Sequence, residues 1–74
     1  MIPTNTFHAI HGRSYRIAVY SVPGGFSSCA DRLSDPVCYL GATGEHRSPS
    51  TARLTALCLA RQDAAAHQKE RVAS

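Results

Sequence analysis

The chain predicts an α+β fold: a three- or four-stranded antiparallel meander with one C-terminal helix packed on one face. Three observations carry this reading. Residues 15–22, Tyr-Arg-Ile-Ala-Val-Tyr-Ser-Val, are β-branched and aromatic and alternate along their length. Turn residues at 11–14, 23–25 and 34–36 cut the first half into short extended pieces. From Ser48 onward a long stretch runs without a helix breaker. Strands first and a helix last is the order of a sheet covered on one side.

Each element has a local cause. Residues 1–6 read as a flexible lead-in, and Phe7 to Ile10 as a short strand. His11-Gly12-Arg13-Ser14 has turn chemistry, with Gly12 free to take positive φ. In the main strand Tyr15, Ile17 and Val19 alternate with Arg16, Ala18 and Tyr20, so the two sets face opposite sides. Pro23-Gly24-Gly25 is a hairpin turn, and a return strand of small residues follows from Phe26 to Ala30. Ser34-Asp35-Pro36 turns the chain into Val37-Cys38-Tyr39-Leu40, which Gly41-Ala42-Thr43-Gly44 closes. Ser48 is an N-cap, and Pro49 suits the first helical position, where its missing N–H is not needed. The helix runs on through the alanines at 64–66. A single domain over 7–67 and a frayed polar tail over 68–74 complete the plan.

Size and composition bound the function. Seventy-four residues allow one domain, and a chain this short buries only about 60% of its unfolded surface. Leu, Ile, Val and Phe together number 14, while alanines number 11, so large core side chains are scarce. The formal charge of +3 is spread, +1 over residues 1–37 and +2 over the remainder, rather than gathered on one run. Nucleic-acid binders concentrate charge, so the basic balance permits a polyanion without arguing for one. The start carries no basic and apolar leader, and no apolar run is long enough to span a bilayer. Cys29, Cys38 and Cys58 lack CxxC spacing and read as small buried hydrophobes of a reduced, cytoplasmic protein.

On a helical wheel Leu54, Leu57, Cys58 and Ala65 group on one side. Ala52, Ala56, Leu59 and Ala66 group nearly opposite. A helix lying on one sheet needs one apolar stripe, so the second set is the candidate interface for a partner. If Tyr15, Ile17 and Val19 face the helix, Arg16 and Tyr20 point to the open side, with Tyr39 or Cys38 joining them from the last strand. An arginine among aromatics on an open sheet suits a protein interface or stacked single-stranded bases. An RNA-recognition motif and its second helix are absent from the sequence.

Little else carries chemistry. His8 and His11 have H-x2-H spacing, but on a strand their rings diverge, and no second ligand pair accompanies them. The glycine pairs lack the lysine and spacing of phosphate loops. No catalytic residue, metal ligand, cofactor or small-molecule substrate is expected.

The strand at 15–19, the Gly24-Gly25-Phe26 turn, the Cys38–Gly41 strand end and the alanine-rich helix form a layout that resembles HicB-type antitoxin domains and similar small bacterial or phage-encoded βββα proteins. The resemblance covers residues 15–62. It departs from that family at the helix start, which has Ser50-Thr51 where paired glutamates are usual, and no DNA-binding segment follows. It implies a non-catalytic module that dimerises and masks a protein partner. The residues and the resemblance together lead to a non-enzymatic protein-interaction module, a homodimer or the partner of another protein. A nucleic-acid-binding module using the open sheet face is the alternative.

Overall fold

The computed structural model describes residues 4–34 and 36–73. Four strands, β1 (Thr4–Ile10), β2 (Arg13–Val22), β3 (Gly25–Arg32) and β4 (Cys38–Ala42), precede one helix, α1 (Pro49–Ala73). The sheet is antiparallel with strand order β1-β2-β3-β4, an α+β meander covered on one face by the helix.

Turn chemistry sets the registers. His11 and Gly12 both take positive φ, 49° and 80°, as a two-residue type I′ turn requires, and this pairs Ile10 with Arg13. Pro23 and Gly24 form the second two-residue turn, pairing Val22 with Gly25. Gly25 is needed for a different reason. His46 returns to bridge Phe26, with backbone bonds of 2.8 and 2.7 Å, and a Cβ at position 25 would strike the His46 carbonyl.

The helix starts where its sequence says it should. The Thr51 amide donates to Ser48 Oγ, the N-cap bond, and Pro49 occupies the first turn. It ends later than the tail's polarity suggests, continuing to Ala73, because long unbranched polar residues and alanine support a helix without tertiary contacts. At the other end Thr4, Asn5 and Thr6 belong to β1 and are no lead-in; residues 1–3 lie outside the described residues, as do Asp35 and Ser74.

The rotation of the helix reverses the sequence expectation. Ala52, Ala56, Ala60 and Ala64 are fully buried against the sheet, in one cluster with Tyr15, Ile17, Val19 and Ala30. Ala52 and Ala56 are therefore core residues, and Leu59 packs partly against the same core; of the four candidate interface residues only Ala66 is exposed. Leu54, Cys58 and Ala65 face outward instead. The reason is space. Tyr15 and Ile17 are fully buried between sheet and helix, and side chains opposite them must be short. Alanine lets the backbones approach so closely that the buried Ser28 hydroxyl reaches the Ala52 carbonyl, while also contacting Thr43 Oγ1 at 2.8 Å. Among the described residues every buried side-chain polar atom has a partner.

Ala56→Leu should overfill this interface and lower stability by about 1–3 kcal/mol in urea denaturation. The outward Leu54→Ala should stay within about 0.5 kcal/mol of the parent.

Candidate functional site

The strongest polar cluster lies between helix and sheet. Asp63 Oδ2 accepts from the Tyr15 hydroxyl at 2.7 Å and from Arg13 Nη1 at 3.2 Å, and Oδ1 accepts from Arg32 Nη1 at 2.7 Å. Arg32 is held in turn by its Nε bond to the Pro36 carbonyl, 2.8 Å. Burial by itself would raise the Asp63 carboxyl, but the Tyr15 and Arg32 hydrogen bonds and the Arg32 charge outweigh it and hold the group below its ordinary value. The Tyr15 phenol is pushed up to about 12, first by burial and then by the Asp63 carboxylate. The carboxylate comes from α1 and its three donor side chains from β2 and β3, so the cluster joins the helix to the sheet.

A second polar chain runs from Ser28 through Thr43 Oγ1 to His46 Nε2, with 3.2 Å between the last two. A hydroxyl beside an imidazole is the start of a nucleophile–base pair, but Thr43 also lies against Ser28 and the Gly44 carbonyl, and among the described residues no carboxylate bonds His46. Here the chain ties the loop after β4 to β3. His8 bonds Thr6 Oγ1 at 3.0 Å, and His11 sits in the first turn. Among the described residues no group of three or more His, Cys, Asp or Glu side chains is placed to hold a metal ion. Cys38 and Cys58 are exposed, contrary to the buried reading, because β4 is an edge strand and Cys58 lies on the outward side of α1. Cys29 is half-buried, and burial followed by the Asp31 charge raises its thiol, the opposite of activation.

The side of the sheet away from the helix is uncovered, and it gathers the residues expected there. The register aligns Phe7, Arg16, Asp31 and Tyr39 in one row across all four strands. Asn5, Ala18, Cys29 and Ala42 form the next row, followed by Tyr20 and Ser27. Phe7 and Tyr39 are 68% and 60% exposed, so the row ends in two accessible rings. The Tyr39 phenol lies above its ordinary value through desolvation, then through the Cys29, Tyr20 and Asp31 groups. Arg16 is not free: its Nε and Nη2 both donate to Asp31 Oδ2, at 3.2 and 2.8 Å.

Two clefts adjoin β1. One, of about 180 Å3, opens between Thr4, Thr6 and Val19 and the first helical turn at Pro49, Ser50 and Arg53. That is small beside ligand pockets of roughly 300–1,000 Å3. The other, about 350 Å3, is a shallow depression at the end of the open face, bordered by Phe7, Ala9, Ser14 and Leu33. The sequence reading missed Phe7 and Leu33. The face of Phe7 follows from the register, which the positive φ of His11 and Gly12 fixes, so the signal was the two-residue turn.

Among the described residues no helix is long and apolar enough to cross a membrane. No family model, curated protein or solved structure matches the chain.

Asp63→Asn should cost about 2–4 kcal/mol, since it leaves two guanidiniums and a buried phenol poorly partnered. Stability should also depend on pH at both ends. A lowered Asp63 value contributes stability that is complete above 3.8 and lost as the pH falls below it. A raised Tyr15 value contributes stability complete below pH 10 and lost as the pH climbs toward 12. Urea midpoints across pH should fall at both ends, with Tyr15→Phe reducing the alkaline fall, to which the raised Cys29 and Tyr39 groups also contribute.

Proposed function

We propose that this chain is a non-enzymatic protein-interaction module that associates with itself and meets other proteins through the uncovered side of its sheet. The observation that carries the reading is the apolar depression between Phe7 and Leu33. The small residues Ala9 and Ser14 line it together with His8 and Tyr15, which suits the insertion of a partner's aliphatic or aromatic side chain. Accessible rings at Phe7 and Tyr39 extend the apolar surface around it, and the Arg16–Asp31 pair supplies a polar element that a partner must match. The surface therefore lies on the sheet, and the alanine stripe of the helix is spent on the core.

An antitoxin-like or inhibitor-like role, masking the surface of a protein partner, fits a small module of this kind. The exposed thiols of Cys38 and Cys58 suit a reducing, cytoplasmic setting, because in an oxidising one they would cross-link copies. The nucleic-acid alternative draws less support, since it needs the guanidinium of Arg16 for phosphate or base, and Asp31 already engages it.

The test is a dilution series followed by mass and by amide NMR signals. The mass should rise with concentration, and the signals that move should belong to the sheet. A constant monomer mass, or shifts confined to Leu54, Cys58 and Ala65, would contradict the reading. Salt-sensitive binding of an oligonucleotide that Arg16→Ala abolishes would favour the alternative.

A further inference from the structure

The self-association proposed above has a specific geometry available to it. The two edges of the sheet differ. β4 is five residues long, its register against β3 shifts between Ala30 and Asp31, and Gly41 takes a φ of 137°. Such irregularity blunts an edge against further pairing. β1 is seven residues long, Thr-Asn-Thr-Phe-His-Ala-Ile, paired to β2 without a register shift. It has no proline and no lysine, arginine or carboxylate. It carries none of the devices that protect an edge strand. α1 lies mainly over β3 and β2, and no described element lies beyond β1.

The direction of the free backbone groups follows from bonds already formed. Ser14 gives its carbonyl to the Leu33 amide, so its polar groups point away from β1. Ala9, its partner in the register, must then turn its own N–H and C=O outward. Alternation extends this to Phe7, opposite Arg16, and to Asn5, opposite Ala18. The free edge thus presents the donors and acceptors of Asn5, Phe7 and Ala9, and all three residues are exposed.

We infer that two copies of the chain pair antiparallel along β1, centred on Phe7, joining two four-stranded sheets into one. Centring on Phe7 sets Phe7 opposite Phe7, Asn5 opposite Ala9 and Thr6 opposite His8. The residues with outward groups meet one another, so each free N–H finds a free C=O, two bonds for each such pair. A register moved by one residue would set outward groups against inward ones. The side chains agree with the backbone. The Phe7 rings meet at the two-fold axis on the open face, where aromatic cross-strand pairs are favourable. Thr6 and His8 meet on the other face, and no like charges are opposed. The row Phe7–Arg16–Asp31–Tyr39 then continues through the axis into its symmetric copy, doubling the surface assigned above to a partner protein.

This geometry rests on the self-association reading, and sedimentation equilibrium on the full chain separates the two. The parent should shift from monomer to dimer mass as concentration rises. Ala9→Pro removes an outward N–H that the β1–β2 ladder does not use; it keeps the Phe7 and Tyr39 rings but alters one side chain lining the depression. It should keep the parent's circular dichroism and weaken dimerisation by about tenfold or more, as expected for losing two hydrogen bonds. Independently of that variant's folding, Phe7→Lys and Phe7→Glu should each be monomeric alone and form a mixed dimer when combined. A parent dimer that survives Ala9→Pro unchanged, or charged variants that fail to recombine, would overturn pairing centred on Phe7 while leaving self-association standing. A parent that stays monomeric up to roughly millimolar concentration would overturn both.

Discussion

The carboxylate of Asp63 decides how this molecule is put together. It lies on the helix at the same angular position as Ala52, Ala56 and Ala60, and it takes bonds from a hydroxyl on β2 and guanidiniums on β2 and β3. A carboxylate mostly removed from water must be fully partnered, and its partners are available only on the sheet. Satisfying it turns the alanine side of α1 inward and leaves the leucine and cysteine of the opposite side, Leu54 and Cys58, in solvent. Hydropathy alone would choose the other rotation. One buried polar group outweighs the preference of Leu54, because an unpaired charge costs more than an exposed side chain does, while Leu57 at the margin of the two sides still packs partly against the core.

That rotation has consequences for the whole surface. Alanines allow the helix to settle close enough for Ser28 to reach its backbone, and a narrow helix seated over β2 and β3 leaves β1 overhanging. The same arrangement spends the small apolar stripe on the core. The accessible hydrophobes are then Phe7 and Tyr39 on the sheet, Leu33 and Val37 between β3 and β4, and Leu54 on the helix. A chain with few large hydrophobes thus keeps several of them outside, and a partner is the natural means of covering them.

Much of the architecture was legible in the residues. The alternation at 15–19, the turn residues at 11–14 and 23–25, and the Ser48–Pro49 cap are local signals, and local signals survive in a sequence, although each turn is tighter than that, with Arg13 and Ser14 belonging to β2 and Gly25 to β3. What was not legible depended on distance. Tyr15 and Asp63 are 48 residues apart, so nothing near either one announces their bond. The wheel did hold a clue, an aspartate aligned with a row of alanines, yet alanine is tolerated on either side of a helix and the leucines were the louder signal. Phe7 was assigned to a strand but not to a face, because the side it occupies depends on a turn register that only the backbone angles reveal. The extensions of β1 to Thr4 and of α1 to Ala73 reflect pairing and intrinsic propensity that polar composition concealed.

The reactivity of the Cys58 thiol tests the helix rotation most directly. It projects from the side of α1 opposite the alanines, so its accessibility reports which stripe lies on the sheet. In the native chain, a thiol reagent with the modified positions located by mass spectrometry should label Cys58 as fast as an unstructured cysteine, and the half-buried Cys29 more slowly. A Cys58 that stays protected until denaturant unfolds the chain would mean that the leucine stripe faces the sheet, and that Asp63 does not set the orientation of the helix.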